Sequence, residues 1–172
     1  MKQLIRKYRG RIMRYKVLPK HYQKALALYM SIDGDAWDFP YETWKKHSIW
    51  DKECPTNDDR EKFDAYLIRV MSRNIQSHYV KKYGNVKFGA VEIPTEVLAQ
   101  EIVNQGYPNP NIKTVGQYKE WMIKYLHIPN HPLKNRWPVI LDSTDDVLQD
   151  GWHRFSNYIT RNDKNIPCVY FA

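Results

Sequence analysis

The chain has 172 residues, of which 42% are hydrophobic, 27% charged and 14% aromatic, a composition typical of one folded domain, with or without an appendage. No run approaches the ~20 apolar residues that a membrane-spanning helix needs, and the aromatic content argues against disorder. A basic start without an apolar run, together with only two cysteines, Cys54 and Cys168, predicts a reduced, cytoplasmic protein.

The net charge of +8 is concentrated near the N-terminus. Nine bases precede the first acid, Asp33, and the rest of the chain is close to neutral. Such a cluster attracts polyanions, so we expect a surface that binds DNA or RNA. The alternative is a solvated basic face that only aids solubility. The bases expected to contact nucleic acid are Arg6, Lys7, Arg9, Arg11, Arg14 and Lys16.

The N-terminal region, residues 1–86, is expected to be mainly helical and basic. Residues 1–18 form either a hairpin around Gly10 or an irregular arm, and propensity favours a helix over 20–31. Residues 56–84 are typical of an amphipathic helix, because acids occupy the first turn and apolar residues recur at helical spacing. Three tryptophans between these helices either stack on bases or pack between subdomains: Trp37, Trp44 and Trp50.

The character of the chain changes near residue 87, and residues 87–172 are expected to form an α+β domain. Strand composition over 87–93 leads into a short helix that Thr95 is expected to cap. Asp150 and Gly151 interrupt the chain between a strand and a helix. The other expected elements are a helix over 114–125, strands over 137–141 and 147–149, a helix over 152–161 and a final strand over 166–171.

The segment from Asp150 to Arg154 carries the chemistry. It predicts a strand, a glycine turn and a helix start with His153 and Arg154 in the first turn. Backbone amides at a helix start bind anions, and an arginine there can make forked bonds to phosphate. We expect Arg154 to be exposed, because it lies at a helix start. Two cations in a first turn oppose the helix dipole, and an anion bound between them and the amides would resolve that conflict. The alternative is an ordinary turn and surface helix.

The motif stands in a longer pattern. A strand ending in Ile93-Pro94 opens it, a helix and a strand led by Pro138 follow, and a strand starting Ile166-Pro167 comes after Asp-Gly-x-His-Arg. This order over residues 87–172 resembles the ParB/sulfiredoxin-like superfamily, which includes ParB-like nuclease domains. The resemblance implies a small mixed-sheet domain that binds the phosphates of ATP or another NTP, with Mg²⁺ as a companion ion.

By position, the resemblance implies a role for each residue of the motif. Trp152 replaces the catalytic cysteine of sulfiredoxins, which argues against peroxiredoxin repair. No metal ligated by the protein alone is expected; Asp150 would orient the turn or meet the nucleotide's Mg²⁺. The implied nucleotide-binding residues are Gly151, Trp152, His153 and Arg154. The candidates for catalysis are His153, Asp150 and Glu96, with Glu101 as the alternative to Glu96 for an acidic base near the start of the domain.

Three functions remain open at this point. The intact motif favours an NTP-dependent phosphotransferase or phosphohydrolase, similar to a kinase or an ATPase. The missing cysteine and the unassigned general base favour a non-catalytic factor of a phage or mobile element that holds nucleic acid or a host protein. A nuclease is the weaker third interpretation.

Overall fold

The computed structural model describes residues 2–29, 84–107, 109–125, 136–141 and 148–172. Of the helix expected over 56–84, only Gly84 belongs to these ranges. The tryptophans at 37, 44 and 50 also lie outside the described residues.

The described residues form a mixed α+β fold, which confirms the expected class in this general form. None of their helices is both long and apolar enough to cross a bilayer. A 3-10 turn over Tyr15–Val17 joins the first strand to the second helix. The helices are α1 (Lys2–Lys7), α2 (Lys20–Tyr29), α3 (Thr95–Asn104), α4 (Val115–Tyr125) and α5 (Trp152–Thr160), and the strands are β1 (Arg11–Arg14), β2 (Lys87–Pro94), β3 (Val139–Leu141), β4 (Leu148–Asp150) and β5 (Asn165–Phe171).

The five strands form one sheet in the order β1-β2-β5-β3-β4. Strand β5 runs parallel to β3, and the other neighbouring pairs are antiparallel. The last strand of the chain therefore lies at the centre of the sheet. Its residues Ile166 to Tyr170 are all buried, and this explains the unbroken apolar run in the sequence.

Both faces of the sheet are covered. On one face, Ile93 and Cys168 belong to a core cluster with apolar residues of α3, α4 and α5. On the opposite face, Phe88 and Val169 are fully buried. The 3-10 turn reaches this second face, where the ring of Tyr15 lies edge-on to Phe88 at a centroid distance of 6.2 Å. The sheet is thus the middle layer of the described fold.

The N-terminal segment joins the same sheet. Strand β1 pairs with β2, and Leu4 and Ile5 of α1 are buried in the core cluster beside α3 to α5. Residues 1–18 are therefore neither of the two expected forms, since a short helix precedes Gly10 and a single strand follows it. The domain boundary placed between residues 86 and 87 stays a prediction.

Helix α3 begins differently from the prediction. Thr95 was expected to cap the helix, but its hydroxyl donates to the carbonyl of Asp163 and its backbone amide donates to Lys164. The N-cap residue is Pro94, which has no side-chain capping bond. The expected cap is wrong because the end of β2 is tied to the turn before β5, a contact between segments distant in sequence.

Helix α4 begins where the sequence predicts. The amide of Gln117 donates to the hydroxyl of Thr114 at 3.1 Å, and the amide of Thr114 donates back to the Gln117 side chain at 3.2 Å. This reciprocal pair is a capping box. Tyr118 and Met122 are buried on the inner face, as their spacing indicates.

Candidate functional site

The predicted motif lies at the junction of β4 and α5. Strand β4 ends at Asp150, and Gly151 is the N-cap of α5 with φ 96° and ψ 27°, in the left-handed region. A Cβ atom at Gly151 would lie 2.9 Å from Nη2 of Arg154 and 3.1 Å from its Cζ. Glycine is therefore required twice, for its backbone conformation and for the close approach of a guanidinium.

Arg154 is buried, and the expectation of an exposed side chain is wrong. Its residue exposure is 9%, Nη1 donates to the carbonyl of Pro138 at 2.7 Å, and Nη2 donates to Oδ2 of Asp150 at 2.5 Å. The guanidinium thus connects the start of β3 to the end of β4. Its charge is compensated by Asp150, so the unfavourable position near the helix N-terminus has an explanation within the chain.

A second side chain of α5 makes a parallel contact. Tyr158, one turn beyond Arg154, donates its hydroxyl hydrogen to the carbonyl of Trp137 at 2.8 Å. Two successive carbonyls that precede β3 are therefore bound by one face of α5. Burial raises the pKa of Tyr158 to about 12, partly offset by the positive charges of Arg136, Arg161 and Arg154. The helix is held firmly against β3 and β4.

The start of α5 remains suited to an anion. Gly151 provides no side-chain cap, and the first turn contains no acid. The first hydrogen bond within the helix is donated by the amide of Phe155 to the carbonyl of Gly151 at 2.7 Å. The amides of residues 152 to 154 precede this bond, so the helix itself supplies no carbonyl to accept from them. His153 is exposed at this end. The turn presents backbone dipoles with a partial positive charge rather than a free guanidinium.

An aromatic pair flanks the helix start. The ring of Trp152 stacks on Tyr107 with centroids 4.0 Å apart and planes 28° apart, and it meets Phe155 edge-on. Tyr107 is 39% exposed and follows the C-terminus of α3, where Gly106 has φ 77°. Sequence analysis placed Trp152 in the site and missed Tyr107, because their contact joins segments 45 positions apart. The signal for Tyr107 in the sequence is an aromatic residue directly after the Asn-Gln-Gly segment.

Behind the site, α4 and α5 share a buried polar contact. The hydroxyl of Tyr118 is hydrogen bonded to Ser156, whose exposure is 1%. Burial raises the pKa of Tyr118 to about 12, and the bond to Ser156 offsets part of this shift. The bond fixes the two helices near the aromatic pair, and it is a structural contact rather than an accessible acid or base.

The catalytic candidates are not brought together. Glu96 is at the start of α3, where its side chain is 71% exposed and 3.6 Å from Nζ of Lys119. The neighbouring Thr95 is bonded to Asp163 and Lys164, which follow the C-terminus of α5. Asp150 and His153 are at the other end of this nine-residue helix, about 13 Å away along its axis. Glu96 is therefore remote from the glycine turn.

The described residues provide no ready site for Mg²⁺. They contain no group of three His, Cys, Asp or Glu side chains placed to hold a metal ion. Asp150 accepts a hydrogen bond from Arg154, and this contact orients the turn. An ion bound here would depend on ligands from a nucleotide. The sequence also contains a local group of acids, Asp142, Asp145 and Asp146, for which metal binding is an alternative to turn formation, and these residues are outside the ranges that the structure describes.

The six bases predicted to contact nucleic acid are all exposed and lie on α1, β1 and the segments that adjoin them. Lys7 lies over the ring of Tyr8, with Nζ 5.5 Å from its centroid. The exposure is compatible with both interpretations of the cluster.

Comparison with known proteins adds no relative. No protein-family model matches the chain, and searches of curated proteins and of solved structures find no match either. The functional argument therefore depends on the site itself.

Proposed function

We propose that the protein binds a nucleotide through its phosphates at the start of α5. The observation that carries the proposal is the N-terminus of this helix: a left-handed Gly151 as N-cap, no side-chain cap and no acid in the first turn. Backbone amides and the helix dipole favour a phosphate in that position. The resemblance to the ParB/sulfiredoxin-like superfamily, which suggested the same segment, stays part of the hypothesis.

In this proposal the residues of the motif have separate roles. The amides that follow Gly151 donate to phosphate oxygens, and His153 adds an exposed ring beside them. Arg154 is a positioning residue, because both of its described hydrogen bonds hold the ends of β3 and β4 in place. This role replaces the forked phosphate contact that the sequence suggested.

Binding is better supported than phosphate transfer. General acid–base catalysis needs a titratable group within hydrogen-bond reach of the reacting atoms. Asp150 forms an ion pair with Arg154. Glu96 is on α3, near the C-terminal end of α5 and remote from the glycine turn. His153 is then the candidate that remains for proton transfer. We therefore propose nucleotide binding first. ATP or NTP hydrolysis, kinase activity and nuclease activity are further proposals that need their own assays. We also propose that the protein acts in a reducing cytoplasm.

The test is a thermal unfolding series with ATP, CTP, GTP, UTP and inorganic tripolyphosphate, each with and without Mg²⁺. A ligand present at 100 times its dissociation constant stabilises the folded state by about 2.7 kcal/mol, which raises the melting temperature by several degrees. Stabilisation by nucleotides that is lost in Gly151→Ala supports the proposal. Unchanged melting temperatures with all of these ligands at millimolar concentration refute it.

Nucleic-acid binding is a second candidate function, suggested by the concentration of positive charge near the N-terminus, where all six predicted bases are exposed. In the whole chain, no acid occurs before Asp33 to oppose them locally. Removal of residues 1–16 would also delete β1, so it is not a clean test. Charge substitutions in the intact chain, measured by binding of labelled DNA and RNA at low salt, test this candidate. Wild-type protein that binds neither refutes it.

A further inference from the structure

Strand pairing places two bases directly opposite each other. Arg14 at the end of β1 is the register partner of Lys87 at the start of β2, although 73 positions separate them. Both residues are exposed. Directly opposed side chains have Cβ atoms about 5 Å apart, and like charges in such a pair destabilise the sheet. Lys87 was not among the bases that the sequence assigned to the cluster.

Two other bases of the cluster are stabilised by contacts within the fold. Arg6 and Lys7 occupy the last turn of α1, where positive charge interacts favourably with the helix dipole. Lys7 also lies over the ring of Tyr8. The fold itself therefore explains these two bases, whereas it does not explain a cationic pair across β1 and β2.

No side-chain carboxylate pairs with either base within the part of the chain that the structure describes, and the last residue, Ala172, contacts Lys87 through its backbone amide, which donates to the Lys87 carbonyl at 2.9 Å. Neither Arg14 nor Lys87 forms an ion pair or a side-chain hydrogen bond with a residue in those ranges. Lys16 follows Arg14 in the 3-10 turn and is also exposed, so it adds to the positive charge. An external anion with several charges would match this arrangement.

The surroundings favour nucleic acid over a membrane surface. A basic element that enters a bilayer interface needs a free apolar face beside its charges. The apolar residues Leu4 and Ile5 of α1 are instead buried in the core, at 7% and 8% exposure. Ile12 and Val17 are exposed at 49% and 55%, but two side chains, one on a strand and one on a turn, are fewer than the apolar face of an interfacial helix presents. The surface is charged without being amphipathic.

We propose that the nucleic-acid contact crosses from β1 onto β2, and that Arg14 and Lys87 together hold the sugar–phosphate backbone of one bound strand. This inference rests on the proposed nucleic-acid function and assigns to it a residue outside the N-terminal cluster. The contact involves backbone phosphate, so it is independent of base sequence.

The experiment uses the full chain and measures binding of fluorescently labelled duplex DNA and duplex RNA between 50 and 300 mM salt. The variants are Lys87→Gln, Arg14→Gln and the control Lys113→Gln, an exposed lysine just before α4. Each lost phosphate contact should reduce the slope of log affinity against log salt by about 0.9 and weaken binding roughly eightfold at 0.1 M salt. Lys113→Gln should leave both quantities unchanged.

The outcomes separate the inference from the function on which it rests. Wild-type binding with unchanged slopes in both Lys87→Gln and Arg14→Gln overturns the inference and leaves the nucleic-acid function intact. Wild-type protein that binds no nucleic acid overturns both, as does binding to phosphatidylserine vesicles alone. The melting temperature at low salt, measured without nucleic acid, completes the test. Lys87→Gln should melt at the same temperature as wild type or at a higher one. A lower melting temperature contradicts repulsion between Arg14 and Lys87.

Discussion

Replacement of Arg154 by alanine should destabilise the fold, contrary to what its position in the motif suggests. The side chain is 10% exposed and forms an ion pair with Asp150, whose side chain is 24% exposed. It also satisfies the carbonyl of the buried Pro138. Alanine would leave a partly buried carboxylate and a buried carbonyl without their described donor.

The expected cost follows from these contacts. A hydrogen bond to a charged group contributes about 1.5–3 kcal/mol, and removal of one partner from a fully buried ion pair costs about 3–5 kcal/mol. Because Asp150 keeps some contact with water, we expect about 2–4 kcal/mol for Arg154→Ala. The same helix region supplies a control, since Arg161 pairs with Asp163 at 2.7 Å but is 36% exposed. Arg161→Ala should cost about 1 kcal/mol or less.

Equilibrium urea unfolding, followed by tryptophan fluorescence, measures both variants at pH 7. The result that supports the account is a large loss for Arg154→Ala and a small loss for Arg161→Ala. A double-mutant cycle with Asp150→Ala should give a coupling energy above about 1 kcal/mol. Equal, small losses for the two arginines would refute the bridging role of Arg154.

Two further predictions concern backbone conformation and alkaline pH. Gly151→Ala should lower the free energy of unfolding by at least about 2 kcal/mol, because φ is 96° and the new Cβ meets the guanidinium of Arg154. Gly116→Ala, in an open helical position of α4, should raise it by about 0.5–1 kcal/mol. Similar effects of the two substitutions in urea unfolding would contradict this prediction. The pKa values of Tyr118 and Tyr158 are raised by burial to about 12, so the unfolded state releases these protons first and stability should fall as pH rises from 10 to 12. Phe at either position should flatten that pH dependence, and an identical profile would count against the buried phenols.

Local signals in the sequence predict most elements of the C-terminal half. The strand that starts at Lys87, the capped start of α4 and the break at Gly151 agree with the structure within one or two residues. Each of these depends on neighbouring residues: aromatic and β-branched composition in the strand, the Thr-x-x-Gln capping box that the structure shows at Thr114, or a glycine turn. Local chemistry is therefore sufficient where an element begins and ends through its own side chains.

Contacts between distant segments explain what the sequence did not predict. The central place of β5 depends on pairing with both β2 and β3, and Thr95 binds the turn before β5 instead of capping α3. The burial of Arg154 depends on the carbonyl of Pro138, which its own helix does not supply. The motif thus marked the right turn, while the role of its arginine was set by tertiary structure.

The amide NMR spectrum of the isotopically labelled full chain, titrated with ATP, tests the central claim most directly. We predict that the largest shifts occur at Gly151, Trp152 and His153, and that Arg154 keeps its side-chain signal because its hydrogen bonds to Asp150 and Pro138 persist. Saturable shifts confined to these amides would place phosphate at the start of α5. No shifts there, or shifts only among the bases of α1 and β1, would contradict the account.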